Sequence, residues 1–169
     1  MTLLQPSVGL PDFWVGSGFE DKLLQAQGDF SLNAGQHSVT YLPNDETSTV
    51  GRYQVLLYDN NFGAAESYPK FDWGQLGAAV VTDYSKGTHS FGRIFTVDEV
   101  ARTCELEDQI AVPFSGYVSS AQRVGDSNSM LVASGQAKTF TECDRYGLAI
   151  TTYEMEAEKY IYRVYKYEL

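Results

Sequence analysis

Cysteine, histidine and positive charge are all scarce in this chain. Its 169 residues hold two cysteines, Cys104 and Cys143, which allow one disulfide at most and form no Cys-x-x-Cys pair. The two histidines, His37 and His89, stand far from either cysteine in sequence, so no zinc-ligand spacing arises and two half-buried free thiols are expected. Lys and Arg total 12 against 22 Asp and Glu, a net charge of −10. A chain with no basic surplus cannot displace phosphate counterions broadly, and nucleic acid is excluded as a general partner. No apolar run approaches the ~20 residues needed to cross a bilayer. The opening Met1-Thr2-Leu3-Leu4-Gln5-Pro6 lacks the basic and apolar regions of a signal peptide. The glycine-rich phosphate loop, the dinucleotide fingerprint, the HExxH zinc helix, the nucleophile elbow and the calcium loop are all missing. No metal or other cofactor is expected, and Asp126-Ser127-Asn128 reads as a hairpin turn.

Aromatics and glycine are plentiful: 12 Tyr, 9 Phe and 15 Gly. That content favours strands and tight turns. Phe13-Trp14-Val15-Gly16 reads as a short strand, and Phe19 to Gln25 as a turn or two of helix with Leu23 and Leu24 inward. Beyond Gly28 short apolar runs alternate with turn residues, the pattern of an all-β chain. Strands are expected at Ser38–Leu42, Tyr53–Tyr58, Ala78–Tyr84, Phe91–Val97, Thr103–Leu106, Tyr117–Val124, Met130–Ala133, Thr139–Cys143, Leu148–Tyr153 and Tyr160–Tyr167. The last is aromatic and β-branched on both faces, so it is expected to be sandwiched between layers. Asn61 to Gly77 reads as a long surface loop. Glu154, Glu156 and Glu158 alternate along one solvated face.

A strand–turn–strand unit recurs. Phe95-Thr96-Val97-Asp98 leads into Cys104-Glu105-Leu106, and Thr141-Glu142-Cys143-Asp144 leads into Leu148-Ala149-Ile150, about 46 residues further on, a spacing typical of propeller blades. A second alignment gives His37 and Ser119 equivalent places at the start of an inner strand, the place that faces a propeller's channel. At ~40–50 residues per blade the chain supplies three to four blades. The expected fold is therefore an all-β partial propeller of antiparallel blades, with an incomplete ring; a sandwich remains open on pattern alone.

His37 follows a glycine and enters a strand in Ala34-Gly35-Gln36-His37-Ser38-Val39. By residue type alone it is a structural histidine; His89 is expected to be exposed. The wider context adds to this. Trp14-Val15-Gly16, Lys22-Leu23-Leu24, Gly35-Gln36-His37-Ser38-Val39-Thr40-Tyr41-Leu42-Pro43 and Leu57-Tyr58-Asp59-Asn60-Asn61 follow in order. Val97-Asp98-Glu99, Tyr117-Val118-Ser119-Ser120, Ser134-Gly135 and Tyr162-Arg163-Val164-Tyr165-Lys166-Tyr167 continue the series. The whole resembles the bacterial arylsulfate sulfotransferase family that needs no nucleotide sulfate donor.

That resemblance implies a six-bladed propeller, with residues 1–169 as its C-terminal part. It implies sulfuryl transfer from a phenolic sulfate ester to an acceptor phenol, in ping-pong order through a sulfohistidine on His37. Gln36, Tyr117 and Ser119 are the accompanying substrate-binding candidates, with Tyr117 able to stack on a phenol ring; its other reading is ordinary blade packing. The family's second active-site histidine and its arginine lie before the stretch that Trp14-Val15-Gly16 resembles, ahead of Met1. The resemblance thus also implies that a missing N-terminal half, or self-association, completes the site, and it points to an extracytoplasmic location. Two alternatives stand beside it: a non-catalytic propeller-like binding module, and a carbohydrate-binding sandwich suggested by the Tyr and Trp content.

Overall fold

A computed structural model of the chain describes residues 3–5, 23–28, 30, 33, 35–42, 49–61, 89–125 and 129–167. The expectations for Phe13–Gly16, Ala78–Tyr84, Asp126–Asn128 and most of Asn61–Gly77 lie outside them. Every regular element among the described residues is a strand: β1 (Leu3–Gln5), β2 (Leu23–Gln27), β3 (Gln36–Leu42), β4 (Arg52–Asp59), β5 (His89–Asp98), β6 (Thr103–Pro113), β7 (Ser120–Val124), β8 (Ser129–Ser134), β9 (Thr139–Cys143) and β10 (Ala149–Glu154). None of these is a helix long and apolar enough to cross a membrane.

The strands form two sheets, ordered β1-β2-β6-β5-β4-β3 and β10-β9-β8-β7. The second is an antiparallel meander. The first is antiparallel from β3 to β6, then gains β2 and β1 by parallel pairing. The short helix expected to reach Gln25 is therefore corrected over its described part. Gln25, Ala26 and Gln27 pair with Thr103, Cys104 and Glu105, and Leu24 is buried. Pairing on an open sheet edge, together with burial of Leu24, outweighs local helical preference.

The sheets pack face to face through Leu42, Leu56, Tyr58, Ile94, Ile110 and Val112 of the first and Ala121, Met130, Val132 and Cys143 of the second. Approach is close at Gly92, where a Cβ would stand 2.8 Å from a Val132 methyl carbon. The first sheet's other face is also covered: Leu24, Leu57, Phe95, Val97 and Cys104 cluster there with Phe30, Tyr53, Val55 and Leu106. On β4 the two sets alternate, as a strand buried on both faces requires. On β6 they share even numbers, and the reason is a bulge: Ile94 pairs with Asp108 but Phe95 with Leu106. The extra residue, Glu107, exchanges the faces of β6 halfway along it.

The hairpin expected around Asp98 is β5–β6 and that around Asp144 is β9–β10. Several expected strands are longer or shorter than the sequence indicates, β6 and β7 among them. β6 runs on to Pro113, and β7 starts at Ser120 because Val118 (φ 57°) and Ser119 (φ 89°) are left-handed. The expected sandwiched strand over 160–167 is corrected: it is not a strand, and most of it is exposed. It runs beside β7 and is held largely by side chains. The Ser120 hydroxyl donates to the Val164 carbonyl and accepts from its N–H, both at 3.1 Å. The Gln122 amide does the same at Lys166, at 2.9 and 2.8 Å. Side chains standing in for the ladder hold the segment too far out to be covered on both faces.

Candidate functional site

His37 is the second residue of β3, opposite Tyr58. Strict alternation would give it the face of Val39 and Tyr41, both largely exposed. A bulge prevents this. Ser38 takes φ 54°, and the register slips between His37 and Thr40. The slip turns His37 to the face of Leu42 and Tyr58, toward the second sheet. Its ring lies 5.4 Å from the Tyr58 ring.

Around the half-buried imidazole stand the Val118 backbone, the Asn60 side chain, and the charges of Arg163 and Asp59. Its Nε2 is buried without a hydrogen-bond partner. Burial is the largest influence and holds its pKa below the ordinary 6.5; Arg163 adds to this, while Val118, Asn60 and Asp59 pull the other way. The net result favours the neutral ring, the form that carries a lone pair.

Asn60 and Val118 are fixed by a polar network between the sheets. The Asn60 side-chain nitrogen donates to the Ser115 carbonyl at 2.7 Å and to the Val118 carbonyl at 3.2 Å. The Ser119 hydroxyl donates to that of Ser115 at 3.0 Å and accepts from the Gly135 N–H at 2.9 Å. Ser115 in turn donates to the Tyr117 carbonyl at 2.7 Å. Tyr58 is fully buried, with its hydroxyl among those of Ser119, Ser90 and Ser134 but without a well-formed hydrogen bond. Beneath Asn60, Asp59 pairs with Arg93 at 3.0 Å, and both are buried. Arg93 also donates to Gln109 at 2.8 Å and Asn33 at 2.9 Å, so this cation is committed to the fold.

The sequence candidates separate in space. Gln36 is exposed and pairs with Asp59 at the start of β3. Ser119 is buried, its hydroxyl engaged in holding the turn that carries Val118. Tyr117 is half exposed and meets Tyr160 edge to face, ring centroids 5.4 Å apart. These two rings line a groove of about 550 Å³ with Phe114, Gln136, Lys138 and Lys159; His37 is not in its wall. His89 is exposed at the start of β5. Among the described residues no group of three or more His, Cys, Asp or Glu could hold a metal ion.

Asn60, Val118 and Arg163 were not singled out by residue type. The sequence signal for Asn60 is a polar Asp-Asn-Asn run closing an apolar strand. Val118 and Arg163 have no comparable signal: one acts through its backbone, the other through its charge.

A family model described as Arylsulfotransferase (ASST) matches residues 6–166. No curated protein and no solved structure matches the chain.

Proposed function

The chain belongs to the arylsulfotransferase family, and from that premise we propose that it moves a sulfuryl group from a phenolic sulfate ester to an acceptor phenol, with His37 as nucleophile. The observation that carries this reading is the state of His37: a ring biased to the neutral form, with a buried Nε2 that no hydrogen bond occupies.

In the first half-reaction the Nε2 lone pair attacks sulfur. The bond from sulfur to the aryl oxygen breaks, its electron pair leaves with the phenolate, and a sulfohistidine remains. In the second, the acceptor's phenol oxygen attacks the same sulfur and the N–S bond breaks, returning its pair to Nε2. The proton lost by the acceptor balances the one taken up by the departed phenolate, so donor and acceptor exchange only the sulfuryl group. The transition state is loose and gains most from position and from cationic donors. The Asn60 side chain and the Val118 backbone, beside the ring, oppose the effect of burial on its pKa. Tyr117 and Tyr160 offer aromatic faces to the phenol rings from the neighbouring groove.

We read the two sheets as consecutive propeller blades. What supports this over a two-layer sandwich is that the first sheet has apolar cover on both faces, whereas a sandwich leaves its outer faces polar.

The test is trapping. The protein, joined to the upstream half that the family resemblance implies, is incubated with 4-nitrophenyl sulfate, without acceptor, and its intact mass is measured; the chain alone is expected to show very low activity. One added sulfuryl group that maps to His37 is expected. His37→Ala should lose both the adduct and the transfer activity, and His89→Ala should keep both. No adduct and no transfer by the wild type would favour the non-catalytic binding module instead; an adduct on another residue would mean a different nucleophile.

A further inference from the structure

We propose that the groove between Tyr117 and Tyr160 is a binding site for fused-ring aromatic anions, such as a naphthol that carries a sulfonate or carboxylate. The inference deepens the part given to this groove in the sulfuryl-transfer reading, and rests on that reading only for the use of the bound ring. A phenol alone does not account for the groove. Its volume of about 550 Å³ is far more than one phenol ring fills, and lies within the ~300–1,000 Å³ of pockets that hold drug-sized ligands. Phe114, in its wall, is buried and gives it an apolar base. Its two tyrosines meet edge to face, with ring centroids 5.4 Å apart and planes at 87°, yet each is 50% exposed. Rings set at right angles with half their surface open offer one flat partner a face and an edge together.

Both rings stand on fixed backbone, so the groove is formed before a ligand arrives. The Tyr117 carbonyl accepts from the Ser115 hydroxyl at 2.7 Å, and the preceding residue, Gly116, donates its N–H to the Gln136 side chain at 2.6 Å. Tyr160 is followed at once by two anchors: the Ile161 N–H donates to the Gly135 carbonyl, and the Tyr162 carbonyl accepts from the Ser119 N–H, both at 2.9 Å. A preformed site does not spend binding energy on ordering its walls. The charge of the groove sets the sign of the ligand. Lys138 and Lys159 line it against Glu158, one positive charge in excess within a molecule of net charge −10. The Lys138 ammonium donates to the Ala157 carbonyl, which fixes it beside the segment that carries Tyr160 and uses one of its three N–H groups. Lys159 is exposed and has no ion pair among the described residues. An aromatic body with one anionic substituent matches the rings and the lysines at once.

The experiment is a calorimetric titration of the chain, with no sulfate donor present, using 6-hydroxynaphthalene-2-sulfonate and its uncharged counterpart 2-naphthol. The sulfonate should bind saturably at one site and more tightly than 2-naphthol, and that advantage should shrink as salt is added. Tyr160→Ala should weaken both ligands roughly 10-fold, the scale of a lost aromatic contact, and Tyr160→Phe should retain them. Lys159→Gln should weaken the sulfonate about 2- to 5-fold, as loss of an exposed ion pair does, and leave 2-naphthol unchanged. Tyr167→Ala, which removes an exposed tyrosine outside the groove, should change neither. Binding that never saturates, that survives Tyr160→Ala, or that is as tight for 2-naphthol as for the sulfonate would overturn the assignment. The two readings fail separately. The expected binding in a protein that forms no adduct on His37 would remove the transfer chemistry and keep the aromatic-anion site. An adduct on His37 without saturable binding of the sulfonate would do the reverse.

Discussion

The protonation of His37 depends on a ring half removed from water next to a cation. Burial and Arg163 depress its pKa from the ordinary 6.5, and Val118, Asn60 and Asp59 only partly restore it. Two measurable consequences share this cause. The acid limb of kcat/KM should fall below about 6.5, because the nucleophile stays unprotonated to lower pH. Stability should follow the same shift with a definite sign. Below about pH 6.5 the unfolded chain takes up a proton that the folded chain still refuses, so stability is lost as pH falls, until the folded ring also protonates. His37→Gln should flatten that part of the Tm profile. A wild-type profile that is flat there, or that rises on acidification and loses the rise in His37→Gln, would contradict the depressed pKa. Asp59 and Arg93 are a separate matter: a fully buried pair whose loss of one partner would leave an uncompensated charge.

At the level of elements, irregularities do the positioning. The bulge in β3 turns His37 inward. The left-handed pair Val118–Ser119 is costly for a β-branched residue and leaves the Val118 carbonyl to accept from the Asn60 side chain. Gly135 is where the β8 end, this turn and the segment 160–167 meet. A Cβ there would lie 2.2 Å from the Ile161 carbonyl oxygen and 2.5 Å from a Val118 methyl carbon. Gly135→Ala must therefore displace the segment, the turn or both. It is expected to destabilise by about 1–3 kcal/mol, as overpacking does, and to reduce transfer more than that loss of folded protein explains. Hydrogen exchange should locate the damage: faster exchange at Ile161, whose N–H donates to the Gly135 carbonyl, with β5 and β6 unchanged. Activity reduced only in proportion to unfolding would show that this junction does not hold the site.

On the scale of the whole molecule, the two thiols belong to different apolar layers. Cys104 lies in the cluster on the outer face of the first sheet and Cys143 in the core between the sheets. Both are free and buried, more deeply than expected from sequence, and burial pushes their pKa up to about 12 and about 11. A thiol that stays protonated and inaccessible does not react. In the native protein neither cysteine should be modified by a thiol reagent at neutral pH; both should react on unfolding, and a reducing agent should leave Tm unchanged. Fast modification of the native protein, or a Tm that falls with reductant, would refute the assignment of two buried free thiols.

The sequence by itself determined the class of fold and most strand positions, since Thr139–Cys143 and its neighbours are short apolar runs cut by turn residues, and that pattern is local. It also carried the family, because motif order survives without coordinates. It could not determine which face each residue takes once a bulge intervenes. Alternation assigns His37 to the side of Val39, and one extra residue at Ser38 reverses that. Nor could it supply the parallel pairing of β2 on β6, or the docking of 160–167 through Ser120 and Gln122, because partners dozens of residues apart leave no periodicity in either segment. Only the tertiary structure decided that Asn60, the Val118 backbone and the charge of Arg163 act on one imidazole: such effects depend on burial and on where the chain brings each group, neither of which is a property of residue type.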